Sequence, residues 1–355
     1  MNILIIKPSS LGDVVHAFPA VSLIHARHPE ATITWVVNDT YAEVVELFPH
    51  VDDVALFKRG RWGNITRWHE FLAFANDLRK RKFDLIIDFQ GLFRSGLLAF
   101  LAGGTRRVGF ARSREGASLF YTEKILTPAN IHHAVEKNLF LAASAVGVPL
   151  PDTRDALPEM RRSHDGEKQA DILFHMHHIK PGGKIVAVAP AARWKSKMFP
   201  PEFFAKVMDR VTERHPDVTF WILGTENERP VGEMVLDACH QCRPEILMGE
   251  ANLVTLVEML RRSDTLLTND TGPMHLAAAF GCPVVALFSS TNPDLTGPYG
   301  RGHVVLQGSC QMGPCLNREC PRKGEQVCAA ESVSVSEAAA AVCDNLQRNA
   351  LCHTD

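Results

Sequence analysis

The sequence has no apolar run long enough to cross a bilayer, since a spanning helix needs about 20 consecutive apolar residues. Its apolar start, MNILIIKPSS, has no basic region before it and no cleavage site after it, which is typical of a first strand rather than a signal peptide. The formal net charge of -2 argues against a general nucleic-acid binder. We therefore expect a cytoplasmic protein with no transmembrane segment and no nucleic-acid partner.

The glycine fingerprint G-x-G-x-x-G is also missing from the turn that follows the first strand, which excludes a nicotinamide-dependent oxidoreductase of the usual type. Nine cysteines are present, an odd number, and four of them lie in one segment. In a cytoplasmic chain, cysteines are more often free thiols or metal ligands than disulfides.

What the sequence does contain is two successive runs of alternating strands and helices, which predict an α/β protein with two doubly wound domains. At 355 residues the chain is too long for one typical domain. We place the first domain at 1–160, the second at 161–335 and a C-terminal helix at 336–355. Two of the predicted helices are Val14 to Arg27 and Ile131 to Val146, the latter carrying His132 and His133.

One stretch, Ser263 to Cys282, predicts a buried strand, a tight turn and a helix. Pro273 falls just inside the helix and Gly281 just past its end, as is usual for helices. A helix N-terminus offers N–H groups and a partial positive charge that suit a phosphate. An ordinary capped helix without a ligand would show the same local pattern.

The turn after the first strand contains Ser9, Ser10 and Gly12, small residues against which a sugar or phosphate could sit. Asp13 follows at the carboxyl end of that strand, where open α/β sheets bind ligands. A carboxylate there could equally cap the next helix, and the two roles are compatible.

Charge is unevenly distributed: residues 58–114 contain 13 Lys and Arg against 4 Asp and Glu. A solvated face explains the run at 79–82, which ends a predicted helix. For the loop cations an anionic ligand or a membrane surface is a competing explanation.

Several stretches, in the same order and spacing, resemble the bacterial lipopolysaccharide heptosyltransferases of glycosyltransferase family 9: KPSSLGDVVHAFPA, DFQGLFRSG, HHAVEKN and NDTGPMHLAAAFGCPVVALFSSTNP. The resemblance covers nearly the whole chain, and SREGASLFYTEK is similar to the heptosyltransferase I branch. It implies the GT-B fold, in which two Rossmann-like domains face an interdomain cleft. The first would bind the acceptor and the second the nucleotide sugar.

The resemblance implies inverting transfer of L-glycero-D-manno-heptose from ADP-heptose to a Kdo-bearing lipid A acceptor, without a required cofactor. Asp13 matches the family's catalytic base, which would take the proton of the acceptor hydroxyl. Lys197 matches the lysine on the donor phosphate, with Lys195 a near alternative. Glu228 matches the acidic residue on the adenosine ribose, with Glu226 as its alternative.

Asp270 matches a donor-sugar position, and three further residues match the phosphate-binding turn. The predicted donor-binding residues are thus Ser10, Gly12, Lys195, Glu228, Asp270, Thr271, Gly272 and His275. The turn Pro190-Ala191-Ala192 departs from relatives that carry hydroxyl residues there, which leaves another ADP- or NDP-sugar open as the donor.

A Kdo-lipid acceptor carries carboxylates and phosphates, so we assign it the loop cations Lys58, Arg59, Arg61 and Arg114. This predicts an enzyme that works peripherally at the inner face of the inner membrane. Alternatives are a transferase acting on a protein serine and a nucleotide-sugar-binding protein without turnover.

Four thiols, Cys310, Cys315, Cys320 and Cys328, could hold structural zinc or iron, or could be free. An iron-binding cysteine cluster is a feature of the related autotransporter heptosyltransferases. Cys239 and Cys242 have metal-like spacing, but they fall at a predicted helix end and we interpret them as packing and exposed surface.

Overall fold

A computed structural model describes residues 1–58, 67–151, 158–179, 182–310, 313–320 and 332–352. The chain divides into two compact units, Met1–Arg161 and Arg162–Asp355. Each unit is a parallel sheet with helices packed on it.

In the first unit the described residues form a six-stranded sheet of order β3-β2-β1-β4-β5-β6. Its strands are β1 (Asn2–Ile6), β2 (Thr32–Val37), β3 (Asp53–Leu56), β4 (Leu85–Asp88), β5 (Arg106–Phe110) and β6 (Glu123–Ile125). Its helices are α1 (Leu11–Val15), α2 (Phe18–Arg27), α3 (Ala42–Glu46), α4 (Trp68–Lys80), α5 (Phe93–Ala102) and α6 (Ala134–Val146). This strand order is that of the Rossmann fold.

The second unit repeats the same order in its described residues, as β12-β11-β10-β7-β8-β9. Its strands are β7 (Ile185–Ala189), β8 (Thr219–Ile222), β9 (Glu245–Ile246), β10 (Thr265–Asn269), β11 (Val284–Phe288) and β12 (Val304–Gln307). Its helices are α7 (His164–Met176), α8 (Pro201–Arg214), α9 (Arg229–Ala238), α10 (Leu253–Arg261), α11 (Gly272–Ala279), α12 (Pro293–Thr296) and α13 (Val335–Cys352).

Central strands are buried on both faces because helices cover both sides of a parallel sheet. In β1, residues 3–6 are fully buried, with Ile5 in register with Trp35 of β2 and Ile87 of β4. In the second unit, Val186 and Val188 of β7 belong to a core that includes residues of α8 and α13. The C-terminal helix α13 is therefore packed into the core of the second unit.

Two predicted helices are wrong in detail. The helix expected from Val14 to Arg27 is two helices, α1 and α2, with Pro19 in the first turn of α2. Proline has no backbone N–H, so in one continuous helix Pro19 could not bond to the carbonyl four residues earlier. Ending α1 and starting α2 here costs less free energy than a kinked helix would. The helix expected from Ile131 starts only at Ala134, because the side chain of His133 accepts the backbone N–H of Val135 and caps it.

None of the helices in the described part of the chain combines the length and the apolarity that crossing a bilayer requires.

Candidate functional site

The predicted site residues lie where the strand order reverses in each sheet. In the first unit the reversal is between β1 and β4, and in the second between β7 and β10. Connections leave neighbouring strands in opposite directions at such a point, which opens a crevice at the carboxyl ends of the strands. The turns after these four strands contain most of the residues considered below.

Asp13 occupies the third position of α1, next to the end of β1. Its Oδ2 accepts the backbone N–H of Ser10 at 2.9 Å and the Ser10 hydroxyl at 2.7 Å, which forms a capping box. Its Oδ1 lies 3.7 Å from Nζ of Lys7, and the side chain is 45% exposed. Ser10 rather than Asp13 is therefore the N-cap residue, Asp13 is its partner in the capping box, and the carboxylate still faces solvent. Gly12, beside it, is buried in the first turn.

A cavity of about 270 Å³ lies in the first unit beside the turns that follow β1 and β4. Its lining residues are Pro8, Ser9, Phe57, Gln90, Leu92, Arg94, Ser95 and Glu115. Among the described residues, the buried Oε1 of Gln90 finds no hydrogen-bond partner. Gln90 thus lines the cavity while its side-chain oxygen is an unsatisfied polar atom buried behind the surface.

Asp88, the last residue of β4, holds the following turn, which contributes Gln90 to the cavity lining. This role of Asp88 was not predicted from the sequence. Its Oδ1 accepts the N–H groups of Gln90 at 2.8 Å and Gly91 at 3.1 Å, and its Oδ2 accepts the Tyr121 hydroxyl at 2.7 Å. Full burial raises the pKa of Asp88, and these hydrogen bonds, with one from Ser95, oppose the shift. The motif DFQG contains the signal, because an aspartate at the end of a buried strand must satisfy its carboxylate locally.

In the second unit Asp270, the residue after β10, forms a buried ion pair with Lys197, which lies 73 positions earlier in the chain. Nζ of Lys197 lies 2.6 Å from Oδ2 of Asp270, with the lysine side chain 19% and the aspartate side chain 4% exposed. The same oxygen accepts the Thr291 hydroxyl at 2.7 Å. The Lys197 ammonium also lies 4.9 Å from the ring centroid of Trp194. Lys195, the alternative, is exposed.

Two buried polar groups hold the lysine-bearing turn in place. The amide of Asn269 donates to the carbonyl of Pro190 at 2.6 Å and accepts the N–H of Phe199 at 3.2 Å. The Ser289 hydroxyl donates to the carbonyl of Ser196 at 2.6 Å. These contacts tie the turn after β7 and the segment around Lys197 to the ends of β10 and β11.

Helix α11 begins directly after this ion pair. Thr271 is its N-cap in an extended conformation, and its side chain makes no capping hydrogen bond. Gly272 and Pro273 follow in the first turn, and His275 is buried with 8% exposure. The first turn therefore has no side-chain cap, so no N-cap side chain competes with an anion for its N–H groups.

The acidic residues assigned to the ribose lie after β8. Oε2 of Glu228 accepts the N–H and the hydroxyl of Thr225, both at 2.8 Å, while Glu226 is exposed. Gly249 packs against this turn at a φ of +83°, and a Cβ there would come within 2.2 Å of Oε2 of Glu226.

A histidine between two glutamates lies near this turn. Nδ1 of His177 is 3.1 Å from Glu245 and its Nε2 is 2.9 Å from Glu250, which also contacts Arg229. Burial lowers the pKa of His177, but the two glutamates together outweigh this effect, so its pKa is raised above the ordinary 6.5.

Of the four cations assigned to the acceptor, Lys58 and Arg114 are exposed in the first unit. The backbone N–H of Arg114 donates to the carbonyl of Gly91, which places it next to the turn after β4. Arg59 and Arg61 lie outside the described residues.

The described part of the cysteine segment packs against the lysine-bearing turn. The N–H of Leu316 donates to the carbonyl of Ser290 at 2.9 Å, and the N–H of Ser196 donates to that of Arg318 at 3.2 Å. Among the described residues, Cys310, Cys315 and Cys320 do not converge into a set of metal ligands, and Cys328 lies outside the described residues.

Comparison with known proteins identifies the family and the fold. Residues 71–325 match the model of glycosyltransferase family 9 (heptosyltransferase), which is well over half of the chain. Lipopolysaccharide heptosyltransferase 1 of Pseudomonas aeruginosa is 30% identical over 327 residues, covering 90% of this chain and 87% of that protein. Lipopolysaccharide heptosyltransferase 1 of Escherichia coli K12 is 27% identical over 319 residues, covering 86% and 93%.

Among solved structures, E. coli heptosyltransferase WaaC with ADP superimposes with a TM-score of 0.76 at 24% identity, covering 97% of this chain and 100% of that one. This confirms the predicted α/β GT-B fold class with its Rossmann-like domains, and the family match confirms a glycosyltransferase. The chain belongs to glycosyltransferase family 9, the heptosyltransferase family.

Proposed function

We propose that this enzyme transfers L-glycero-D-manno-heptose, with inversion, from ADP-heptose to a Kdo-containing lipid A acceptor in the assembly of the lipopolysaccharide core. The observation that carries the proposal is the arrangement after β10, where a lysine ammonium is held beside a helix N-terminus without a side-chain cap. Its relatives are named lipopolysaccharide heptosyltransferases, and solved relatives are described with ADP and with ADP-2-deoxy-2-fluoro heptose.

The leaving group is a diphosphate, on which negative charge grows as the glycosidic bond breaks. The Lys197 ammonium and the positive end of the α11 dipole are fixed positive groups that would stabilise this charge. Thr271, Gly272 and His275 line that turn, and Glu228 would hold the ribose hydroxyls. Because Asp270 already accepts from Lys197 and Thr291 through one oxygen, we assign it to orienting the lysine as well as to the sugar hydroxyls.

The acceptor hydroxyl is a weak nucleophile at neutral pH, so its proton must be removed as its oxygen attacks. Asp13 is the base we propose, because its carboxylate is held in one orientation by Ser10 and remains half-exposed. The oxygen forms the new bond to the anomeric carbon, the bond from that carbon to the phosphate oxygen breaks, and ADP departs with the electron pair.

For the acceptor we propose the cavity of the first unit, with Lys58 and Arg114, the chain neighbours of its lining residues Phe57 and Glu115, as cations beside it. Arg59 and Arg61, assigned to the same acceptor, lie outside the described residues. Arg94 in the cavity lining would suit a carboxylate or phosphate, and the amide of Gln90, another lining residue, would bind a sugar hydroxyl. Neither residue was predicted from the sequence, although both lie in the motif DFQGLFRSG.

A surface of the same unit fits a membrane-bound acceptor. The rings of Phe93 and Phe100 pack on either side of Phe120 at 5.5 and 6.0 Å, and Leu119 beside it is 80% exposed. The guanidinium of Arg107 lies 5.6 Å from the centroid of the Phe100 ring. Exposed apolar side chains next to cations suit the interface of an anionic bilayer, so we propose peripheral membrane binding here.

A transfer assay tests the proposal. Purified enzyme is incubated with ADP-heptose and either Kdo-lipid A or a serine-containing autotransporter protein, and products are identified by mass spectrometry. We expect heptosylated Kdo-lipid A. Modification of the protein alone would support the alternative acceptor, and ADP-heptose binding without product would support a protein without turnover. UDP- and GDP-sugars in parallel test the donor.

Two matched variants separate the candidate phosphate lysines. Lys197→Met should weaken ADP binding, while Lys195→Met, which removes an exposed lysine two residues away, should leave it nearly unchanged. The reverse ranking, measured by calorimetric titration with ADP, would transfer the role to Lys195.

Membrane binding is measured by cosedimentation with vesicles containing phosphatidylglycerol. Leu119→Ser should reduce the bound fraction, whereas Met234→Ser, at a comparably exposed apolar residue of the second unit, should not. Equal binding of both variants would contradict the assignment of this surface.

A further inference from the structure

Three potential metal ligands converge away from the groups used above. Asp209 lies on α8, Cys239 directly follows α9, and Cys242 comes three residues later. One carboxylate oxygen and the two Sγ atoms all lie within 4.8 Å of one another. Asp209 and Cys239 are each only 8% exposed.

The chain holds these groups together through the backbone. The carboxylate of Asp209 accepts the N–H of Gln241 at 2.7 Å and that of His240 at 3.0 Å. These bonds fold the segment between the two cysteines over the end of α9. Within the described residues no lysine, arginine or histidine side chain pairs with Asp209, so this buried carboxylate is satisfied only by the N–H groups of His240 and Gln241 and by the thiol of Cys242.

The distances suit a small tetrahedral cation. Zinc binds thiolates at about 2.3 Å and carboxylate oxygens at about 2.0–2.2 Å, which puts neighbouring ligand atoms roughly 3.5 Å apart. Sγ of Cys242 lies 3.5 Å from Oδ1 of Asp209. Two soft sulfur ligands with one oxygen favour zinc over magnesium or calcium, which prefer all-oxygen sites.

We infer that Asp209, Cys239 and Cys242 bind one Zn²⁺ ion, with a solvent molecule as the fourth ligand. As each Zn–S bond forms, the thiol releases its proton to solvent, so binding liberates two protons per ion. The ion would clamp the segment after α9 to α8. This role is structural and independent of the proposed transfer reaction. It revises our interpretation of the two cysteines as packing and exposed surface.

The test measures metal rather than activity. The full chain is purified under reducing conditions without chelator, and zinc is counted by mass spectrometry. We expect about one zinc per chain, a rise in thermal stability on adding Zn²⁺ to chelated protein, and release of two protons per ion. Cobalt in place of zinc should give a thiolate-to-cobalt charge-transfer band.

Variants assign the ion to its ligands. Cys239→Ser with Cys242→Ser should abolish zinc retention and the cobalt band, whereas Cys315→Ser with Cys320→Ser should retain both. Asp209→Asn should keep the cobalt band but weaken the affinity for zinc by more than about tenfold. Removing a residue that only hydrogen-bonds to a metal ligand already costs about tenfold, and Asp209 is proposed to bind the ion directly.

Should the double variant fail to fold, Cys242→Ser alone, at the less buried of the two cysteines, tests the same point. Zinc that is absent from the wild type, or that disappears only with Cys315 and Cys320, would overturn the inference.

Discussion

The proposed base gives the sharpest test of the reaction, and Asp13→Asn is the substitution that isolates it. Asparagine has the same shape, and its carbonyl oxygen can still accept the two hydrogen bonds from Ser10. It cannot take up a proton. The variant therefore removes the basicity of the side chain and leaves the first turn of α1 in place.

The expected loss follows from the role. A positioned general base contributes about 10²–10⁴-fold to the rate, or about 2.7–5.4 kcal/mol of activation free energy. Folding stability should fall far less, because losing a negative charge in the first turn of a helix costs about 0.3–1 kcal/mol. Alanine is a poorer choice, since it would also remove the capping box.

The assay is steady-state release of ADP from ADP-heptose in the presence of Kdo-lipid A, with donor affinity measured separately by titration. We expect kcat to fall by the amount above and the Kd for ADP to stay close to the wild-type value. The matched control is Asn252→Ala, which removes the side-chain cap of α10, a bond of 2.9 Å to the N–H of Thr255. It should cost about 0.5–2 kcal/mol of stability without slowing transfer.

An Asp13→Asn variant that turns over at nearly the wild-type rate would refute the reasoning. So would a loss of turnover that the control reproduces, since the effect would then be one of stability.

Three further outcomes can be measured. Lys197→Met should weaken ADP binding by roughly 10–100-fold, as expected for losing a charged hydrogen bond of about 1.5–3 kcal/mol. The Kd is measured by isothermal titration with ADP, and an unchanged Kd would contradict the prediction. Folding raises the pKa of His177, so its contribution to stability should be complete below pH 6.5 and disappear as pH rises through the folded pKa. The free energy of unfolding in urea should therefore differ most between wild type and His177→Gln at low pH. A difference that stays constant with pH would contradict this. Gly249→Ala should raise the KM for the donor, because the added Cβ displaces Glu226 in the turn after β8. Gly182→Ala, at a similar positive φ but with open space around it, should alter stability only. Equal KM values in the two variants would show that displacing the turn after β8 does not affect donor binding.

The strand–turn–helix at Ser263 to Cys282 was predictable because all of its signals are local. A buried strand, capping residues, Pro273 near the helix start and Gly281 past its end agree with one another, and the structure has β10 and α11 there. The boundary error at α1 and α2 came from giving the apolar spacing more weight than Pro19. The edge strands β6 and β12 were not predicted, because they are short and only partly buried.

The contacts that build the site were less accessible to sequence reasoning. The ion pair of Lys197 with Asp270 joins residues 73 positions apart, and periodicity contains no information about which loops meet. The Tyr121 hydroxyl on Asp88 is another such contact, across 33 positions. Local patterns identify candidate residues, whereas their partners depend on strand order, which tertiary packing decides.

Strand order also explains why the candidate residues fall in four turns. In both sheets the strand order reverses between the first and the fourth strand of the unit. Each unit therefore opens a crevice at this point, after β1 and β4 in the first unit and after β7 and β10 in the second. In the first unit the turn after β1 presents the half-exposed carboxylate of Asp13, while Asp88 at the end of β4 is fully buried. In the second unit Lys197 and the first turn of α11 lie at the corresponding position, beside the buried carboxylate of Asp270. Two copies of one topology thus place an accessible carboxylate in one unit and a lysine with a helix N-terminus in the other. A base for an incoming hydroxyl and a cationic site for a departing diphosphate are the two groups that an inverting sugar transfer needs.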